Sequence, residues 1–179
     1  MKKHLRVVLA GLVLFMWQFI SHAVADFHGS ATSYTPQQDS ILAILEKSGL
    51  EERGYMIPRT AGNAGEAERN AFSAERVGKP WAMVTYHKSW NSSMTLPLIR
   101  SLLTDMVIMW LLIYILDAIS SITMLRSISL ATGVGLISFL TFPYTDNIWF
   151  QTPDVWASLA DGIVPWTFVG ALYYRFWRP

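Results

Sequence analysis

Four long apolar stretches constrain what this chain of 179 residues can fold into. They cover residues 7–25, about 98–119, 127–145 and about 155–174. An α-helix rises about 1.5 Å per residue, so about 20 apolar residues cross a hydrocarbon core that is about 30 Å thick. The sequence therefore predicts an all-α membrane protein with four transmembrane helices, of which the last three form a bundle over residues 97–179.

The composition agrees with a chain that lies mostly in lipid. The sequence is 52% hydrophobic and 15% charged, whereas soluble proteins average about 25% charged residues. The net charge of +1 argues against a nucleic-acid partner, because proteins that bind nucleic acid carry a strongly basic surface. The absence of cysteine excludes disulfides, thiolate metal sites and a cysteine nucleophile. The lipid bilayer is therefore the first partner that we expect.

The first apolar stretch has two interpretations that the sequence leaves open. A basic amino terminus precedes it, and Ala23-Val24-Ala25 resembles a signal-peptidase site, so residues 1–25 could be a cleaved signal. The alternative is an uncleaved anchor helix, which the bulky Trp17 near its end favours. In both cases the chain that follows lies outside the cell interior.

The basic residues predict the orientation of the four helices. Under the positive-inside rule, cytoplasmic connections carry an excess of Lys and Arg. The short connections agree, because residues 117–126 include Arg126 whereas residues 144–154 have no Lys or Arg. Both termini are basic, through Lys2, Lys3, Arg6, Arg175 and Arg178. We therefore expect a bacterial inner-membrane protein with both termini in the cytoplasm and residues 26–96 in the periplasm.

Residues 26–96 predict a small α+β cap between helices one and two. Thr35 followed by Pro36 is typical of a helix start, and Gly49 lies where a C-terminal cap belongs. Two β-prone pieces could pair as strands, and they cover residues 54–57 and 81–87. Between them lies either a loop or a weak surface helix, over residues 61–78. A segment of this size forms only a marginal core alone.

Two acidic residues lie inside the predicted helices. Asp105 and Asp161 are each about 10 Å below the same membrane surface, counted from the starts of their helices. An acid at this depth is costly and usually faces the bundle interior. Arg100 lies on another face of its helix from Asp105, so we expect an Arg100–Asp161 contact between helices. Pro165 cannot donate to the Asp161 carbonyl and predicts a kink there.

This intramembrane polar cluster has two interpretations. It is either an ion pair or hydrogen-bond cluster that locks helices two and four together, or a small proton- or cation-responsive site. The sequence favours the structural interpretation, because the two acids lack the neighbours of a characterised transport or protease motif.

Small residues on helix three predict close helix packing. Ser129 and Gly133 are four residues apart, as are Ala131 and Gly135, and this spacing lets two helix backbones approach. Gly170 on helix four could face them. We expect this contact within one chain, with a homo-oligomer interface as the alternative.

Histidine and aspartate cluster just after the first helix. His22, Asp26 and His28 offer imidazole and carboxylate groups, which zinc accepts as ligands. However, the chain contains no HExxH or comparable spacing, and no GxSxG, Walker or GxGxxG motif. We therefore expect no metal or other cofactor, and no enzymatic activity.

Three short motifs carry a resemblance over most of the chain. They are Trp17-Gln18-Phe19-Ile20-Ser21-His22, Gly54-Tyr55-Met56-Ile57-Pro58 and Asn147-Ile148-Trp149-Phe150. In the order of these motifs along the sequence, the chain resembles small uncharacterised bacterial membrane proteins that are built from an anchor, an extracytoplasmic segment and three helices. The resemblance implies this topology and an uncleaved anchor, and it implies no activity.

These observations lead to one expected function and two alternatives. We expect a structural, accessory or partner-binding membrane component, whose external segment recognises another membrane or periplasmic protein. The first alternative is a subunit of an oligomeric ion- or proton-linked transporter that uses Asp105 and Asp161. The second is an interfacial enzyme, which would need a convergent acid/base pair among His22, Asp26, His28 and His87.

Overall fold

The computed structural model describes residues 3–178, so the predicted anchoring role of Lys2 lies outside the described residues. Two π-helical turns extend the first and last helices, over Ile20–Val24 and Tyr173–Trp177. The described elements are α1 (Lys3–Phe19), α2 (Gln38–Lys47), β1 (Arg53–Ile57), α3 (Glu66–Arg76), β2 (Ala82–Tyr86), α4 (Thr95–Asp117), α5 (Met124–Thr141), α6 (Pro143–Phe150) and α7 (Val155–Leu172).

The chain divides into two compact units. The first contains the residues up to Ser33 together with those from Ser93 onward, and the second is Tyr34–Ser92. Both boundaries fall inside the predicted external segment of residues 26–96, because the turns after α1 and the residues before α4 belong with the long helices.

The first unit contains four helices that are long and apolar enough to cross a membrane. They are Lys3–Val24, Thr95–Asp117, Met124–Phe150 and Val155–Trp177. These candidate spans confirm the four long helices predicted from the sequence. The small two-stranded sheet of the second unit confirms the β component.

The third span departs from the expected single helix over residues 127–145. α5 ends at Thr141, Phe142 lies between the two helices with a distorted backbone at φ −116° and ψ −72°, and Pro143 starts α6. Proline has no backbone N–H and favours the first position of a helix, so a new helix begins there at little cost. Residues that were expected to form a loop are therefore helical as far as Phe150.

The four spans form two closely packed antiparallel pairs, α1 with α4 and α5 with α7, and α1 also contacts α7. Apolar side chains from these helices make one buried core, which includes Leu14, Met109, Ile113, Trp166 and Val169. Arg6 and Asp117 lie at one end of this unit, which we call the Arg6 end. His28 and Asp154 lie at the other, which we call the His28 end.

Backbone contact between α5 and α7 depends on glycine. A Cβ built on Gly135 would lie 2.2 Å from the Gly162 carbonyl oxygen, and one on Gly170 would lie 2.9 Å from the Ser127 carbonyl oxygen. Gly133, by contrast, has nothing within 4 Å of such an atom. The face that includes Ala131 and Gly135 is therefore the packing face, and Gly170 meets it as the sequence suggested.

The second unit consists of a two-stranded sheet and two helices, one of which, α3, lies between the strands in the chain. β1 and β2 pair with each other, as predicted, and the structure shows the pairing to be antiparallel, with Tyr55 opposite Val84. α2 begins at Gln38, later than Thr35 suggested, and its end leads into Gly49 at φ +65°. For residues 61–78 the sequence left open either a loop or a weak surface helix, and α3 shows that a helix forms there.

The Arg6 end is held by a charged network that the sequence did not suggest. Arg6 is 6% exposed and donates to both carboxylate oxygens of Asp117 and to the Trp177 carbonyl. The Tyr173 hydroxyl also donates to Asp117, over 2.7 Å. Asp117 therefore ties α1, α4 and the end of the last span together.

Candidate functional site

The chain folds back on itself directly after the first span. The π-helical turn contains Ser21 and His22, and Asp26 follows with a left-handed backbone at φ 49°. The Phe27 N–H then donates to the Ser21 carbonyl over 2.9 Å. This turn returns His28 onto His22, and the two imidazole rings stack with their centres 4.0 Å apart and their planes 13° apart.

Asp161 of α7 is the centre of the polar cluster. Its Oδ1 accepts hydrogen bonds from Trp17 Nε1 and Ser21 Oγ, each over 2.8 Å. Its Oδ2 lies 3.0 Å from His28 Nε2. Since Trp17 and Ser21 are one turn apart on the same span, Asp161 joins that span to α7.

A second carboxylate holds the other side of the His28 ring. Asp154, immediately before α7, places Oδ2 2.7 Å from His28 Nδ1. Burial lowers the pKa of His28, but the hydrogen bonds and negative charges of Asp154 and Asp161 outweigh it and raise the pKa above its usual value. The pair of acids therefore favours a positive charge at this position.

The other intramembrane acid has a separate partner. Asp105 is 1% exposed, and its Oδ1 accepts from Gln18 Nε2 over 3.1 Å. Ser101 Oγ donates to the Oε1 of the same Gln18 over 3.3 Å. Asp105 Oδ2 has no hydrogen-bond partner among the described residues. The two acids lie at the same level of the unit, because Trp17 and Gln18 are consecutive residues.

A cavity of about 870 Å³ opens beside the cluster at the His28 end. One part of its wall is polar and includes Gln18, His22, His28, Asp154 and Asp161. The rest is mostly aliphatic and aromatic, and includes Leu14, Phe15, Phe19, Leu98, Ile108, Phe139 and Trp166. The cavity is therefore amphipathic.

The cluster also contains a group of side chains able to hold a cation. His22, His28 and Asp161 each offer one ligand atom, and these atoms all lie within 4.8 Å of one another. The sequence had suggested Asp26 as the carboxylate of such a group. The Asp26 carboxylate lies instead beside the Cα of Gly29.

The structure rearranges the other residues singled out from the sequence. Arg100 forms no ion pair within 4.0 Å among residues 3–178, so the expected Arg100–Asp161 contact is replaced by His28, Trp17 and Ser21. Pro165 is buried inside α7, one turn after Asp161. His87 belongs to the second unit.

Four residues of the cluster were not predicted from the sequence: Trp17, Gln18, Ser21 and Asp154. Some signals for them exist in the sequence. Trp17 and Ser21 are four residues apart and share a helix face, and Gln18 is a polar side chain inside an apolar run. Asp154 and Asp161 are seven residues apart, or about two helical turns, which also places them on one face.

No family model matches this sequence, and no curated protein or solved structure matches it either.

Proposed function

We propose that this chain is an accessory protein of the bacterial inner membrane that binds an amphipathic molecule in the cavity at the His28 end. The observation that carries the proposal is the cavity itself. Its volume of about 870 Å³ falls within the roughly 300–1,000 Å³ of typical ligand sites, which are mostly apolar with a few polar groups. A lipid-like molecule matches both parts of this wall.

The wall suggests how such a molecule would lie. Its apolar portion would contact Phe15, Phe139 and Trp166, where burial of apolar surface contributes about 25 cal/mol per Å². Its polar head would lie against His22 and Gln18, whose side chains offer hydrogen-bonding atoms at the cavity wall. The anchor helix contributes to both parts, which favours its retention in the working protein.

The proposed location places the cavity in the outer leaflet. The basic residues at both termini and in the connection after α4 support cytoplasmic termini, and residues 26–96 are then periplasmic. In this arrangement the second unit would be available to a periplasmic or membrane partner.

Native mass spectrometry of the protein released from detergent micelles tests the binding proposal. Ser138 lines the cavity, whereas the neighbouring Ile137 is 66% exposed on the outside of α5. We expect a bound amphiphile on the wild type and on Ile137→Trp, and at least a tenfold lower occupancy on Ser138→Trp. Equal occupancy in all three proteins would indicate lipid adhering to the outer surface and would contradict the proposal.

One observation favours a second candidate function, an oligomeric proton- or cation-linked transporter. Asp105 is buried in the unit, and its Oδ2 has no hydrogen-bond partner within residues 3–178. Ionisable groups inside membrane helices often mark ion pathways. Ion flux into vesicles containing the purified protein tests this candidate. It predicts a flux in the wild type that Asp105→Asn abolishes while the variant remains folded, and absence of flux in the wild type contradicts it.

A further inference from the structure

We propose that His22, His28 and Asp161 bind one Zn²⁺ ion at the His28 end of the helical unit. This site goes beyond the binding of an amphipathic molecule and does not depend on it. Two imidazole nitrogens and one carboxylate oxygen form a donor set typical of zinc sites that keep a fourth position open.

The distances in the cluster suit an ion of this size. Zinc bonds to nitrogen and oxygen are about 2.0–2.2 Å long, so donor atoms around a tetrahedral ion lie about 3.3 Å apart. His28 Nε2 and Asp161 Oδ2 are already 3.0 Å apart, and all three donor groups lie within 4.8 Å of one another. The two stacked rings, whose planes are only 13° apart, would have to turn away from each other before both nitrogens could face one ion.

The hydrogen bond that His22 forms through Nδ1 leaves its Nε2 available to bind a metal. Its Nδ1 lies 3.1 Å from the Gln18 carbonyl oxygen. Because a carbonyl oxygen only accepts, Nδ1 carries the ring proton of the neutral imidazole and Nε2 keeps its lone pair. A metal-binding histidine usually has this arrangement, in which its second nitrogen is fixed by an outer partner.

The other two ligands are fixed from outside in the same way. Asp154 holds His28 Nδ1 over 2.7 Å, which leaves His28 Nε2 toward Asp161. Trp17 and Ser21 both donate to Asp161 Oδ1, which leaves Asp161 Oδ2 on the inner side of the group. Each of the three ligands therefore has a supporting contact at an atom that the metal would not use.

The charge of the cluster also favours a cation. Asp154 and Asp161 lie on opposite sides of His28, with carboxylate oxygens 2.7 and 3.0 Å from its two ring nitrogens, so a positive charge between them is stabilised. A zinc ion would take the place of the proton on His28 Nε2 while Nδ1–H stays on Asp154. Since all three ligands line the cavity, the open fourth position would face the space proposed for the head of an amphipathic molecule.

Zinc titration of the full chain tests the site directly. The protein is purified in detergent with an affinity tag that lacks histidine, treated with a chelator, and titrated with Zn²⁺ by calorimetry. We expect one ion per chain. His22→Ala removes one ligand from an exposed position and leaves the Asp161 contacts in place. Its affinity should fall by more than the roughly 10–100-fold expected from losing an outer partner.

His87→Ala is the matched control, because His87 lies in the second unit. It should bind zinc like the wild type, and Asp154→Asn should bind about 10–100-fold more weakly, because it removes the outer partner of His28. Failure of the wild type to bind one ion, or equal affinity of the His22→Ala and His87→Ala proteins, overturns the proposal.

X-ray absorption at the zinc edge gives a second measurement that needs no variant. The wild-type protein loaded with one equivalent of Zn²⁺ should show two imidazole ligands together with oxygen ligands. Fewer than two imidazoles around the ion would also overturn the proposal, even if the variants failed to fold.

Discussion

Arg6 and Asp117 form a two-point ion pair, with Nη1–Oδ1 and Nη2–Oδ2 distances of 2.9 and 3.1 Å. The side chains are 8% and 17% exposed, and the residues are 111 positions apart in the chain. The pair joins the first turns of α1 to the last turn of α4, and the Trp177 carbonyl and the Tyr173 hydroxyl add one hydrogen bond to Arg6 and one to Asp117. Arg6 Nε is buried without a hydrogen-bond partner among residues 3–178, so the pair is largely buried but not fully hydrogen-bonded.

Removal of one partner should destabilise the protein strongly. Asp117→Ala leaves the Arg6 charge buried without its carboxylate, and such a loss costs about 3–5 kcal/mol. The thermal unfolding midpoint of the protein in detergent should fall clearly. Glu75→Ala is the control, because Glu75 pairs with Lys79 on the surface at 62% and 50% exposure. A surface pair contributes about 0–1 kcal/mol, so equal midpoints for the two variants would contradict the prediction.

Close packing of α5 on α7 should not tolerate a side chain at Gly135. In Gly135→Ala the new Cβ meets the Gly162 carbonyl oxygen and the Trp166 ring, and overpacking of this kind costs about 1–3 kcal/mol or more. Gly133→Ala is the control on the same helix, where the added Cβ meets open space. We expect a lower unfolding midpoint for the first variant and an unchanged or higher one for the second. The opposite order would show that this helix contact is wrong.

The same substitution should affect stability differently at the two acids of the His28 end. Asp105→Asn keeps an oxygen for Gln18 and removes a carboxylate whose Oδ2 has no described partner, so stability should stay constant or rise. Asp161→Asn places an amide donor where a carboxylate meets three donors, so stability should fall. Unfolding midpoints of both variants in detergent without added metal check this, and a similar fall in both would contradict it.

Thiol labelling should report the proposed orientation without interference, because the chain has no native cysteine. Ser40→Cys lies on the exposed surface of α2, and Ser120→Cys lies in the exposed connection between α4 and α5. A membrane-impermeant maleimide applied to spheroplasts should label the first variant and should label the second only after the membrane is opened. The reverse pattern would place the termini outside the cytoplasm.

The features predicted well from the sequence are those that depend on neighbouring residues. Hydrophobic length gave the four spans, β-prone runs gave the pairing of β1 with β2, and Gly49 marked the end of α2 through its backbone freedom. Each of these features depends on a segment of about 20 residues or fewer, and hydrophobic periodicity and turn-forming residues can be recognised within such a segment.

The site was harder to predict because its contacts join distant parts of the chain. His28 reaches Asp161 across 133 positions, and it does so only because the backbone reverses at Asp26. Arg100 was the obvious partner for an intramembrane acid by charge alone, but neutral donors on the first span and a histidine after it satisfy Asp161 instead. The partners of Asp161 could be predicted only after it was known which helices pack against each other.

The first span supplies a hydrogen-bond donor to every carboxylate within α4 and α7: Arg6 to Asp117, Gln18 to Asp105, and Trp17 with Ser21 to Asp161. This span precedes the other three in the sequence, so all of these donors are synthesised before the acids that they contact. Loss of the first span would leave three buried or partly buried carboxylates without these donors at once, and each lost contact costs about 1–3 kcal/mol or more.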